Sequence, residues 1–261
     1  MIDIHCHILP EVDDGSRSLN ESIEMAMIAK EQGIKKIVNT SHYHPEFRYK
    51  KGEELLKEVE NFNNVLKENM IDIEVLIGNE IYYTTDFIKQ IDKLDFYTLN
   101  NSRYILVELP PTNFPKDLCN IVYELKEKNY IPVFAHVERY IEVEENPELI
   151  YEVIKAGGII QVNSQSIVGK SGKELQKTCD ILLSRNMVHV VGTDAHSSKR
   201  RAPRVLDAYE YVSENYSKEM ADDIFIKNNN AIINDEDLNL PEPCKEETKK
   251  KNGFFKRLFK L

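Results

Sequence analysis

Cysteines are few in this chain and stand apart. Cys6, Cys119, Cys179 and Cys244 include no Cys-x-x-Cys pair, so a disulfide framework is not expected, and an iron–sulfur cluster would lack its soft ligands. No apolar run approaches the ~20 residues of a membrane span. The first residues read directly as a strand, which gives the expectation of no signal peptide and of a cytoplasmic, reducing location. Positive charge is in deficit. Lys and Arg number 34 against 44 Asp and Glu, a formal net charge of −10, which argues against general affinity for nucleic acid. No internal repeat is visible.

What is present is a long alternation of strand-length apolar runs with helix-period segments. The chain has 261 residues, 41% of them hydrophobic, which suits one α/β barrel or two smaller domains. Strands are expected near Ile2–Ile4, Ile34–Thr40, Ile73–Ile77, Tyr104–Val107, Ile131–Ala135, Gly158–Val162 and Val188–Val191. Between them lie amphipathic stretches. One opens at the capping box Ser18-Leu-Asn-Glu21, and another places Leu55, Val59, Phe62 and Leu66 on one face. About seven β-α units imply parallel strands with right-handed crossovers, closed or nearly closed into a barrel, with a doubly wound open sheet as the alternative. The globular part is expected over residues 1–237. Residues 238–261 read as a linker and tail, where Pro241, Pro243 and a Glu/Lys run precede Phe254-Phe-Lys-Arg-Leu-Phe-Lys-Leu261. That basic, aromatic end suits an anionic membrane surface or a partner groove, or else a tail that is disordered or packs on its own domain.

The chemistry gathers where strands end. His5 and His7 are two apart on a strand and so face one side. By themselves they are a weak signal, either part of a metal site or simply two surface histidines. His42, Glu80, Glu108, His136, Asp194 and His196 close later strands, and Asp14 lies in the first loop. In an α/β barrel these positions share one face. Five of the seven histidines fall in this set, which scattered surface residues would not do. Nine imidazole and carboxylate donors exceed the needs of one ion and suit Mn, Fe or Zn in a multinuclear site, since a carboxylate can bridge two ions. Cys6, between the two histidines, should face the opposite way into the core. His189 lies in an apolar strand and reads as a satisfied core histidine, and His44 as a loop residue near the site rather than a ligand. Cys179 and Arg185 have the Cys-x5-Arg spacing of cysteine-dependent phosphatases. The intervening Asp-Ile-Leu-Leu-Ser lacks the glycine of a phosphate-cradling loop.

Arg139 follows His136 at the same strand end, where a guanidinium can bind phosphate through two N–H groups or pair with Glu138. Lys199, Arg200, Arg201 and Arg204 follow Asp194 and His196, and one or two of them, with Arg201 and Arg204 preferred, are expected to face an anionic substrate.

In order along the chain, Asp-Ile-His5-Cys-His7, Asp13-Asp14-Gly15, Thr-Ser-His42, Gly-Asn-Glu80, Val-Glu108-Leu, Ala-His136-Val-Glu-Arg139 and Thr-Asp194-Ala-His196 resemble the polymerase and histidinol phosphatase (PHP) superfamily over about residues 1–230. The opening His-Cys-His-Ile-Leu-Pro-x-x-Asp-Asp-Gly and His-Val-Glu-Arg-Tyr are similar to the metal-dependent tyrosine phosphatases of Gram-positive capsule and exopolysaccharide operons.

The resemblance implies an α/β fold, a distorted seven-stranded (β/α)7 barrel with three divalent metal ions, manganese first with iron or zinc as alternatives. His5, His7, Glu80 and Asp194 would hold one ion. Glu80, Glu108 and His136 would hold a second, with Glu80 bridging, and Asp14, His42 and His196 the third. Tyr43 interrupts the His-His pair seen in many members, which leaves His44 without an assigned role. The implied reaction is hydrolysis of phosphotyrosine by direct attack of a metal-bridging hydroxide, with Arg139 neutralising the phosphoryl oxygens and His196 or a metal assisting the leaving group. The implied substrate is a membrane-associated tyrosine kinase that drives polysaccharide export, met at the inner face of the plasma membrane. The alternatives are a PHP phosphoesterase acting on a small ester such as histidinol phosphate or on a nucleic-acid end, and a non-catalytic, metal-stabilised binding module.

Overall fold

The computed structural model describes residues 1–44 and 46–245. The basic, aromatic segment from Phe254 to Leu261 lies outside the described residues. Nine parallel strand segments run β1 Ile2–Cys6, β2 Lys36–Asn39, β3 His42–Tyr43, β4 Glu74–Leu76, β5 Glu80–Tyr82, β6 Tyr104–Glu108, β7 Ile131–Phe134, β8 Ile159–Asn163 and β9 Val190–Gly192. The helices are α1 Leu19–Glu31, α2 Gly52–Glu68, α3 Phe87–Gln90, α4 Leu118–Glu127, α5 Ile141–Glu145, α6 Glu148–Ala156, α7 Ser164–Ile167, α8 Lys173–Ser184, α9 Leu206–Asn215, α10 Lys218–Asp222 and α11 Asn228–Ile233.

The strands pair in the orders β1-β2-β4 and β3-β5-β6-β7-β8-β9. β2 with β3, and β4 with β5, are each one pass of chain broken in the middle, so nine segments make seven staves. Asn79 sits at the break between β4 and β5. Its buried carboxamide donates to the Ser41 carbonyl at 2.7 Å and accepts from the Tyr97 amide at 2.8 Å, satisfying backbone groups that the interrupted ladder leaves over. The seventh stave meets the first. The Asp194 amide donates to the His5 carbonyl at 2.7 Å, and the His7 amide to the Ala195 carbonyl at 2.8 Å. The result is the distorted seven-stranded α/β barrel that the resemblance implied and that the alternation allowed, not a doubly wound sheet.

Side-chain alternation separates two buried clusters. Leu106, Val133, Ile159 and Val190 belong to a small cluster with Ile4 and Val38, and Leu99, Ile232 and Ile233 pack into it. The opposite parity, including Ile105, Val107, Phe134, Ile160, Val162 and Val191, joins the larger cluster under the helices. Cys6 lies in that larger cluster as expected, and Cys179 is buried on α8. Burial pushes the thiol of Cys179 well above the usual range, so it is no nucleophile. Continuing towards the C-terminal ends on the parity of the small cluster, the apolar series gives way to Glu108 on β6 and to Gln161 and Asn163 on β8.

Local chemistry sets the helix ends, with some departures from expectation. Ser18 caps α1 by accepting from the Glu21 amide, but the Glu21 carboxylate accepts from Arg17, one residue ahead of the cap. The last helical stretch is interrupted, with a π-helical turn at Asp223–Lys227 between α10 and α11. Residues 238–245, read as the start of a linker, lie along the barrel. Leu238 and Leu240 pack on the small cluster, the Cys244 amide donates to the Arg185 carbonyl, and the Lys245 ammonium sits 4.3 Å from the centre of the Tyr151 ring.

Candidate metal centre

The strand ends bring their charged residues to one place. His5 Nε2 and His7 Nε2 are 3.4 Å apart. The carboxylate of Glu80 approaches them at 3.3 and 3.2 Å, and Asp194 Oδ1 at 3.5 and 3.8 Å. Donor atoms converge in three groups: His5, His7, Glu80 and Asp194; His7, Asp14, His42 and His196; and His42, Glu80 and Glu108. Glu80 is common to two groups, as are His7 and His42, so the three form one continuous cluster. The structure places His42 beside Glu80 and Glu108 where the resemblance led to the expectation of His136. His136 is adjacent, its Nε2 being 2.9 Å from Glu80 Oε1 and 3.8 Å from Glu108 Oε1.

Two neighbours fix how the first imidazoles present themselves. His5 Nδ1 lies 3.1 Å from Gln161 Oε1. That oxygen also accepts from the His136 amide, and the Gln161 Nε2 donates to Asn163, so the carboxamide orientation is set. His5 must therefore carry its proton on Nδ1. His7 donates from Nδ1 to Asp13 Oδ2 at 2.7 Å. Asp13 also accepts from the amides of Gly15 and His42. His196 Nδ1 donates to the Asp194 carbonyl at 3.0 Å. In each neutral ring Nε2 is then a lone pair, and all three point among carboxylates.

Lone pairs and carboxylates crowded together repel unless positive charge sits between them. The titration behaviour reports the same demand. Burial works against a charged His7, yet Asp13 and Glu80 raise its pKa well above the imidazole range. Burial also opposes ionisation of Glu80, but His5, His42 and His136 hold it well below the carboxylate range. Divalent ions supply the required charge and coordinate the same lone pairs, so the residues present fit a metal cluster of imidazole and carboxylate ligands. The outward-held Nδ1–H bonds are the arrangement metal-ligating histidines usually have.

The backbone is strained at two of these positions. His136 has φ 37° and Asp194 φ 50°, the left-handed region that non-glycine residues seldom enter. Each lies two residues past the end of its strand, His136 after β7 and Asp194 after β9. Gly15 serves the first loop by close approach, since a Cβ there would lie 2.5 Å from both the Cβ and the carbonyl oxygen of His7.

Two arginines reach the cluster from the solvent side. Arg139 Nη1 and Arg201 Nη2 lie 2.8 and 2.6 Å from the same oxygen, Asp194 Oδ2. Asn163 donates to that oxygen at 3.0 Å. Arg139 thus pairs with Asp194, not with Glu138, which is buried and accepts from the Asn163 amide. Arg201 reaches the site through Asp194. The side chain of Arg204 is exposed and lies in the field of Asp207. His44 stands outside the three donor groups, and its Nδ1 accepts from the Glu46 amide. His189 is only half satisfied, with Nδ1 accepting from the Ile160 amide and a buried Nε2 left without a partner.

Sequence reasoning did not single out Asp13, Gln161 or Asn163 as site residues. Strand parity carried a signal for the last two, because Gln161 and Asn163 share a face of β8. Asp13 had none beyond its place beside Asp14.

The family described as capsular polysaccharide synthesis, CpsB/CapC, matches residues 1–234. The chain is 34% identical to the tyrosine-protein phosphatase YwqE of Bacillus subtilis over 98% of its own length and 100% of the relative's. It is 32% identical to the tyrosine-protein phosphatase CpsB of Streptococcus pneumoniae, covering 90% of this chain and 99% of that one. A crystal structure from a study of B. subtilis YwqE and S. pneumoniae CpsB, described as unique metal-dependent tyrosine phosphatases, superposes with a TM-score of 0.89 at 33% identity, covering 94% of this chain and all of that one. A histidinol phosphate phosphatase from Lactococcus lactis, solved with zinc, L-histidinol and phosphate, shares the fold at TM-score 0.54 and 15% identity, over 86% and 94% of the two chains. Full-length coverage of these relatives, together with the ordered strand-end donors, establishes that the chain belongs to the CpsB/CapC family.

Proposed function

We propose that this chain is a metal-dependent protein-tyrosine phosphatase that acts on a tyrosine kinase of capsule or exopolysaccharide synthesis. The observation that carries the reading is the continuous cluster of donor groups joined through Glu80, His7 and His42, with Arg139 and Arg201 at its solvent edge. The proposed ligands are His5, His7, Asp14, His42, Glu80, Glu108, His136, Asp194 and His196, for three divalent ions with manganese the first choice.

When bound, such ions supply Lewis acidity and lower the pKa of water in the site to about 7. The chain's own residues do the rest. Arg139 and Arg201 are each a little under half exposed, at 42% and 41%, so their remaining N–H groups are free to meet phosphoryl oxygens from outside. Asp194 holds both guanidinium groups by one oxygen, which orients them before substrate arrives. His196 is engaged at Nδ1 and offers Nε2 as a lone pair, which suits a ligand better than a proton donor. A phenol has a pKa of about 10 and leaves readily as its anion, so little general-acid help is needed.

The test is phosphate release from a phosphotyrosyl peptide. Release is expected with Mn, abolished by EDTA, and lost in His136→Ala. No release from metal-loaded protein would defeat the reading. The basic, aromatic end is proposed to bring the enzyme to the inner face of the membrane that carries its kinase. A variant ending at Leu240 should then lose co-sedimentation with anionic vesicles; unchanged partitioning would rule that out.

A further inference from the structure

The sequence left His44 without a role, and the structure draws it into a group of rings beside the donor cluster. A cavity of about 780 Å³ opens there, lined by His42, His44, Phe47, Tyr49 and Tyr82 among others. His42 is shared between the two regions: its nitrogens face Asp14 and Glu80, and its ring forms part of the cavity wall. The Tyr49 ring lies nearly parallel to His42, with centres 6.1 Å apart and planes 25° apart. Phe47 stacks on Tyr49 at 5.3 Å and 14°. Across the group, His44 meets Tyr82 at 4.2 Å and Phe47 edge-on at 4.6 Å. Tyr82 stands two residues beyond Glu80 on β5, so one short strand supplies both a central carboxylate and a ring of the wall.

Phe47 is 55% exposed within this group, so part of its apolar ring is open to an incoming group. The charges lining the cavity are of both signs, with Arg48 and Lys51 against Glu46, Glu54 and Asp86. Such a lining does not select a simple anion. It suits a flat apolar group carried by a peptide. A phosphoryl group held at the donor cluster places the group one ester oxygen away at the cluster's edge, and these rings stand at that edge.

We propose that Phe47, Tyr49 and Tyr82 form the subsite for the phenyl ring of the phosphotyrosine, and that they select aryl over alkyl phosphate esters. The inference rests on the phosphatase reading given above and deepens it. An aryl ester can offset-stack on or meet these rings edge-on, whereas a seryl or glycerol ester presents no π face.

The experiment uses the whole metal-loaded chain with Phe47→Ala, Tyr49→Ala and Tyr82→Ala, and with Tyr49→Phe as the conservative variant. KM and kcat are measured on a phosphotyrosyl peptide and on glycerol 2-phosphate, and bound metal is assayed in each protein. For the alanine variants the KM for the peptide should rise about tenfold, the size expected for one or two lost aromatic contacts. The preference for peptide over glycerol ester should fall by the same factor with metal content unchanged, and Tyr49→Phe should restore the wild-type KM. Equal losses on both esters, or lost metal, would show that the rings act through the cluster and would overturn the proposal. Wild-type KM values in all the alanine variants would overturn it too, leaving the phosphatase reading intact. A wild-type protein that releases no phosphate from the peptide would overturn both.

Discussion

At the scale of single residues, the pairing of His7 with Asp13 shows how the site is prepared. Burial favours the neutral acid, yet the imidazole and two backbone amides keep the Asp13 carboxyl ionised, with a pKa of about 2. An ionised Asp13 holds the His7 proton on Nδ1 and leaves Nε2 free for coordination. Asp13→Asn removes that charge while keeping the volume. Loss of such a supporting partner typically costs about 10- to 100-fold in metal affinity. Competition with a graded chelator should show a weakening of that order for Mn, and an affinity within twofold of wild type would mean that Asp13 does not orient the ring. Gln161 does the same for His5 with a neutral carboxamide. The two histidines of one short motif are thus tuned by different chemistry from different parts of the chain.

At the scale of elements, the site depends on the seam where β9 meets β1. The seam is close because Gly192 has no side chain. A Cβ there would lie 2.6 Å from the Cβ of His5 and 3.2 Å from Gln161 Nε2. Gly192→Ala must push β1 and β9 apart or turn His5 away from the cluster. Overpacking of this kind typically costs about 1–3 kcal/mol. Denaturant unfolding should report a loss in that range, accompanied by reduced metal occupancy. Wild-type stability together with full metal content would show that the seam has slack. The seam also carries Asp3, whose buried carboxyl accepts from the Thr193 amide and hydroxyl and from the His5 amide. Burial raises its pKa to about 6 against those bonds. Asp3 fixes the seventh stave one residue before Asp194 turns into the site.

At the scale of the whole molecule, His189 makes stability depend on acidity. Its imidazole is fully buried, and burial lowers its pKa to about 3 from 6.5. Between those values the unfolded chain takes up a proton that the folded chain refuses. The contribution is therefore fully present above pH 6.5 and is lost as pH falls, by up to about 1.4 kcal/mol per unit, until the folded pKa is reached. His189→Gln lacks the titration. The stability difference between wild type and variant should shift by that slope between pH 6.5 and 4.5, to the disadvantage of wild type. Parallel unfolding curves across that range would contradict it. The α11 helix braces the same region, with Asn228 donating to the His189 carbonyl and Asn229 to the carbonyls of Ile2 and Val191.

What the sequence determined by itself is local and periodic. Alternating apolar runs and amphipathic stretches specify strands and helices in turn, and parallel strands joined by helices must put their C-terminal ends on one face. His5, His7, His42, Glu80, Glu108, His136, Asp194 and His196 were legible as a set for that reason alone. The tertiary structure decided which of them meet. The grouping of His42 with Glu80 and Glu108 follows from the broken second and third staves, and no periodicity encodes such breaks. That Arg201 reaches Asp194 is likewise a property of the folded loop. Gln161 reaches His5 from 156 residues away in sequence, by a hydrogen bond that exists only once the barrel closes, whereas Asp13 reaches His7 within the first loop, 6 residues on. Spacing along a chain fixes which face a residue occupies; contact between faces is fixed by strand register and curvature, which arise from the packing of the whole.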